Sequence, residues 1–225
     1  NYTLFETLVL AMGGADFYRK ALVQREPEAL KGETLRQAIL ALRRVKGYTD
    51  AASNGREWNA TTDLVVKGRA GFQFMGDWAK GEFLAAGQRA GNEFLCAPAP
   101  DTQLAFTYNV DSFAMFRLAG WEAQKAQGYL AYTLLGEKFQ TSFNRRKGSI
   151  PVRLDIPLTG FDECAQRSRK DFAQTDKTQT LVPSVAHGMG QPTRTQAAMM
   201  AAVHAFWQDD TMTPAQLQER LSQSP

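Results

Sequence analysis

Helical periodicity alternates along this chain with short apolar runs that glycines and prolines cut off, and that alternation confines it to a mixed α/β fold. The clearest helical stretch is GETLRQAILALRRVKGY, where Leu35, Ile39, Leu42 and Val45 share one face and Gly47 ends the turn. The opening NYTLFETLVLAM has the same period, with Leu4, Leu8 and Met12 recurring every fourth residue and Phe5 and Val9 beside them. Further helices are expected over REWNATTDLVVKG, over EAQKAQGYLAYTLL, from Phe161 onward and over TRTQAAMMAAVHAFWQ. A final helix starts at a capping box, with Thr213 as N-cap, Pro214 in the first turn and Gln216 reaching back. The runs FQFM, EFLCAPAP, LAFTYNV and SFAMF read as strands, the last two meeting at a polar corner from Asn109 to Ser112.

At 225 residues and 44% hydrophobic, the chain can bury a core as one large domain or two small ones. Its 26 basic and 23 acidic residues are scattered and leave a net charge of +3, which argues against a nucleic-acid partner. No apolar run approaches the ~18 residues of a membrane span. No charged-then-apolar leader opens the chain, and the first helix begins at once, as expected of a fragment or a processed product. Hinges are expected near Asn109 and near Arg153, where the pattern changes.

Catalytic signatures are sparse. The sequence has no G-x-S-x-G elbow, Walker loop or H-E-x-x-H helix, and His187 and His204 are too distant for a local metal pair. His204 falls on the apolar side of its helical pattern, which gives it a structural role. The run Gly188–Met189–Gly190 resembles the start of a dinucleotide loop, but Thr193 stands where the third glycine belongs and no strand clearly precedes it. Asp77 and Glu82 are five residues apart, about 140° around a helix, and read as solvated charges. Cys96 and Cys164 lack the paired spacing of a zinc site; two buried thiols or one disulfide both remain open. Neither a metal nor a cofactor is called for.

Five blocks in fixed order, AGFQFMGDWAKGEF, FLCAPAP, TYNVDSFAMF, RKGSIPVR and VPSVAHGMG, resemble the sugar-binding proteins of bacterial ABC importers, most closely the glucose- and mannose-type periplasmic ones. The resemblance implies a two-lobed α/β protein that closes on a monosaccharide, glucose first among the hexoses, and presents the closed form to a membrane permease. It implies a periplasmic location and binding without turnover. It also implies that residues 1–107 are the first part of the C-terminal lobe, 108–157 the crossover and a segment given to the N-terminal lobe, and 158–225 the second part of the C-terminal lobe. The N-terminal half would then come from a missing partner or a second chain. Two other readings stay open: a carbohydrate-active enzyme, and an interaction fragment that binds no sugar alone.

By the same resemblance, Trp78 stacks on a pyranose at a strand edge followed by a helix start, where open α/β sheets place their ligands. Asn109, Asp111, Lys147 and His187 would bond the hydroxyls, since carboxylate, amide, ammonium and imidazole supply both acceptors and donors. Each also has a structural reading: Trp78 as a core residue, Asn109 and Asp111 in a local turn, Lys147 as a solvated charge, His187 as a loop cap. A periplasmic origin favours a disulfide between Cys96 and Cys164, which on the loop-entropy model is worth about 4 kcal/mol or more.

Overall fold

The computed structural model describes residues 1–225 and shows a helix-rich α/β chain. In chain order it runs α1 (Tyr2–Tyr18), α2 (Pro27–Lys31), α3 (Glu33–Lys46), α4 (Trp58–Val66), α5 (Lys80–Ala85), β1 (Phe106–Tyr108), α6 (Trp121–Leu135), α7 (Glu137–Lys147), α8 (Glu163–Lys177), β2 (Leu181–Pro183), α9 (Thr193–Gln208) and α10 (Pro214–Gln223). The helices over the expected stretches form, and α10 starts as read: the Thr213 hydroxyl accepts from the Gln216 amide while the Gln216 side chain accepts from the Thr213 amide.

The main core lies between the two ends of the chain. Its members come from residues 2–42 and 182–221, where Phe5, Val9, Tyr18, Leu35, Ile39 and Leu42 meet Val203, Phe206, Leu217 and Leu221. Each such side chain removed from water contributes roughly 1.5–3 kcal/mol, so this layer carries most of the apolar burial. The stripe on α1 differs from the one read in sequence. Tyr2, Phe5, Glu6, Val9 and Leu10 face inward, whereas Met12 is exposed and Leu4 and Leu8 lie at the margin. The packing partners α3 and α9 select which of two adjacent stripes is buried.

β1 and β2 pair in parallel, Phe106 with Leu181 and Tyr108 with Pro183, and the Ser184 amide extends the ladder by donating to the Tyr108 carbonyl at 2.9 Å. The link between them contains α6, α7 and α8. Neither FQFM nor SFAMF forms a strand, and EFLCAPAP contributes one isolated bridge, between Ala90 and Phe94. Alternation makes a strand only where a neighbouring strand takes up its backbone groups, and none lies beside these runs. His204 is likewise on the exposed side of α9, against the side chain of Asn1. β2 does precede the Gly188–Gly190 loop.

Candidate ligand site at the strand ends

In parallel strands the C-terminal ends share one edge, and here that edge carries three of the five expected residues, Asn109, Asp111 and His187. Asn109 and Asp111 follow β1, and Ser184 to His187 follow β2. The polar corner read between Asn109 and Ser112 thus forms the exit of a single strand.

The Trp78 corner is a short 3-10 turn, Asp77–Ala79, that runs into α5. The indole folds back over Gly76, where a Cβ would lie 2.1 Å from a ring carbon. That closeness explains the glycine in MGDW: any side chain there would displace the ring. Trp78 is half-buried and meets His187 edge to face, ring centroids 4.8 Å apart.

Lys147 arrives from the C-terminal end of α7. Gly148 ends that helix in the left-handed region, φ 85°, and a Cβ on it would come within 2.6 Å of the Asp77 carbonyl and 2.8 Å of the Lys80 Cβ. A glycine is needed twice over, for the backbone turn and for the close approach. The packing sets the end of α7 against the Trp78 turn, and the Lys147 ammonium pairs with the Asp111 carboxylate. Asp111 keeps 63% of its side-chain exposure, and pairs this open contribute at most about 1 kcal/mol to stability. Asn109 is half-buried and its side chain forms no hydrogen bond within the chain.

The turn is braced from beneath by ionic groups. Lys80 is buried and donates to Asp162 Oδ1 at 3.0 Å, the same oxygen that caps α8 by accepting from the Ala165 amide at 2.8 Å. Asp77, expected to be solvated, is half-buried; burial raises its carboxyl above the ordinary range, with Lys80 opposing. Glu82 is exposed, as expected. Two residues along α8 from Asp162, Cys164 is bonded to Cys96, with Cα atoms 5.6 Å apart.

A second buried network lies behind His187. Glu6, on the inner face of α1, accepts from the Tyr18 hydroxyl at 2.9 Å, the Ser184 hydroxyl at 2.6 Å and the amides of Val185 and Ala186 at 2.9 and 3.0 Å. Burial raises its carboxyl from the ordinary value, and the four donors oppose that shift. Ser184 Oγ in turn lies 2.8 Å from His187 Nδ1. The His187 imidazole is pushed below its ordinary value, by burial first, with the Asp111 charge opposing. Glu6, Ser184, Lys80 and Asp162 did not stand out in the sequence. A lone acid inside the apolar stripe of α1 is the signal that marks Glu6 in retrospect.

Over 201 residues, 89% of its length, the chain is 41% identical to a probable sugar-binding periplasmic protein of Brucella suis. The chain is thus similar in sequence to proteins described as probable sugar-binding periplasmic proteins. It is 39% identical to a protein of the same description from Rhizobium meliloti, again over 89% of the chain, and 30% identical over 84% to an uncharacterized ABC transporter extracellular-binding protein of Pyrococcus horikoshii. The chain spans about half the length of the curated relatives it matches: 47%, 48% and 41% of these three. No family model matches it. The likeness between sequence blocks and sugar-binding proteins therefore holds across most of the chain, and all five blocks fall within the described fold.

Proposed function

We propose that this chain supplies one wall of the sugar cleft in a two-lobed periplasmic binding protein, which takes a monosaccharide, glucose first, and delivers it to an ABC import permease. The observation that carries this reading is the meeting of Trp78, His187, Asp111 and Lys147 at the ends of two parallel strands. An indole offers an apolar face to a pyranose ring, and the polar trio around it offers acceptors and a donor to hydroxyls. The exposed Asp111–Lys147 pair holds little energy, so a hydroxyl that inserts between its members loses little and gains two charge-assisted bonds. A misplaced hydroxyl would leave a polar partner unmatched at roughly 1–3 kcal/mol, about tenfold to a hundredfold in affinity. The arrangement serves binding, and the division into residues 1–107, 108–157 and 158–225 follows the same reading.

One observation favours a companion reading in which the cleft is completed by chain beyond these residues. Val110, Phe113, Met115 and Phe116 after β1, and Trp121 and Tyr132 on α6, all stand exposed. Such a surface fits the complementary half of a protein about twice this length.

Calorimetric titration with glucose, mannose and galactose, repeated on Trp78→Ala, tests the proposal. Selective binding that falls at least tenfold in the mutant is expected, with recovery on adding the complementary half if the isolated chain binds nothing. Binding unchanged in Trp78→Ala would move the cleft elsewhere, and turnover of a chromogenic glycoside would replace the binder with an enzyme.

A further inference from the structure

The network behind His187 has a direction, because each of its groups has a limited number of protons to give. Ser184 has one hydroxyl proton. Its oxygen sits 2.6 Å from Glu6 Oε1, 2.8 Å from His187 Nδ1 and 3.3 Å from the His187 amide. Glu6 accepts at Oε2 from the Val185 and Ala186 amides and shares the one Tyr18 hydroxyl proton with the Pro183 carbonyl, each 2.9 Å from that hydroxyl, and a carboxylate has only acceptors. The Ser184 proton therefore goes to Glu6, and both remaining contacts must be donated to Ser184 by His187. One is the backbone N–H. The other is the ring, which places the imidazole proton on Nδ1 and leaves Nε2 bare, without a partner in the chain.

We propose that Glu6, acting through Ser184, fixes His187 in the Nδ1–H tautomer and so makes Nε2 an acceptor that selects a ligand hydroxyl able to donate. Glu6 is a positioning residue: it lies behind the wall of the site, and the inference that it selects ligands rests on His187 being part of the sugar cleft. The tautomer itself does not depend on that reading. The geometry also explains why an acid occupies the buried stripe of α1, since an apolar residue there would take the acceptor from the Val185 and Ala186 amides of the turn.

The isosteric change Glu6→Gln makes a sharp contrast. Its amide oxygen must stay with the Val185 and Ala186 amides, so its NH2 group turns toward Ser184 and donates. The Ser184 proton is then free for Nδ1, and the tautomer reverses. Ser184→Ala removes the relay and leaves the ring without a bias from this side.

Nitrogen-15 imidazole spectra of the histidine-labelled chain read this directly, since it has only two histidines. His204 serves as an internal reference of the opposite kind: the Asn1 amide nitrogen donates to its Nδ1 at 3.1 Å, which calls for Nε2–H. The expected result is Nδ1–H for His187 in the native chain, Nε2–H in Glu6→Gln and loss of the bias in Ser184→Ala. Nε2–H in the native chain, or Nδ1–H retained in both variants, overturns the proposal. If Glu6→Gln fails to fold by circular dichroism, Ser184→Ala carries the decision.

A second arm tests the ligand consequence with monodeoxyfluoro hexoses, whose fluorine cannot donate. One position should lose about tenfold or more in the native chain and lose less in Glu6→Gln. Equal losses in the two proteins overturn the selective role. A native Nδ1–H tautomer combined with no sugar affinity in any form of the protein would instead leave the relay standing and remove the sugar reading.

Discussion

The two ends of the chain and its middle treat apolar side chains in opposite ways. Residues 2–42 and 182–221 turn theirs into a common core, whereas from Val110 to Leu135 all the large ones but Leu134 stand in solvent, and α6 buries none of its residues. Both regions are helical and both are rich in aromatic and aliphatic groups. A helix apolar around much of its circumference is ordinarily a buried helix. Trp121, Tyr129, Leu130, Tyr132 and Leu135 on α6 are thus dressed for an interior that these residues do not provide. The contrast shows that helical pattern and burial are separate facts: local spacing makes the helix, and only a neighbour makes the core.

The strongest way to break the contrast is to truncate one aromatic from each region. Phe5→Ala should cost about 3–5 kcal/mol, because it removes a fully buried ring and leaves a cavity that close packing fills poorly. Tyr132→Ala, at 81% exposure, should stay within about 0.5 kcal/mol. Urea unfolding of the two variants measures both. A large loss from Tyr132→Ala would mean that α6 is covered in solution, most simply by a second copy, and sedimentation would then show a dimer.

The disulfide sharpens the same comparison, because Cys96 and Cys164 enclose the exposed stretch and neither belongs to the main core. Reducing it should cost about 2–4 kcal/mol, and the 68-residue separation favours the upper end on the loop-entropy model. The effect should be local as well as energetic. Limited proteolysis after reduction is expected to cut faster between residues 97 and 163 while the segments forming α1, α3, α9 and α10 keep their protection. Uniformly faster cleavage would show the two regions to be one cooperative unit.

These regions also differ in how far the sequence discloses them. α3 and α10 are readable because their evidence is local: a four-residue period, a glycine, a capping box. FQFM misleads because a strand exists only when a distant partner pairs with it. At the site, Trp78, Asn109, Asp111, Lys147 and His187 are marked by family blocks, and the strand ends do bring four of them together around Asp111 and His187. Glu6 and Ser184 are 178 positions apart, and no spacing rule reaches across that distance. The acid on α1 acquires its role only from the turn after β2 that packs against it.

The smallest expected effect is a pH dependence that links the buried ends to the open site. His187 faces Trp78, Ser184 and the Asp111 charge, which Lys147 already pairs, and burial holds its folded value below the ordinary 6.5. The unfolded chain therefore takes up the proton first as pH falls. Stability from this group is present above 6.5 and is lost as pH drops through the lower folded value. Glu6 acts with the opposite sign: its folded value lies above the ordinary 4.5, so the folded chain gains the proton first as pH falls and stability from this group rises between that value and 4.5. Urea midpoints of the native chain should show a contribution that declines as pH falls below 6.5, and His187→Gln should remove that contribution. A decline unchanged in His187→Gln would assign the titration to another group, and a decline removed by Tyr132→Ala would tie it to the exposed middle instead of the site.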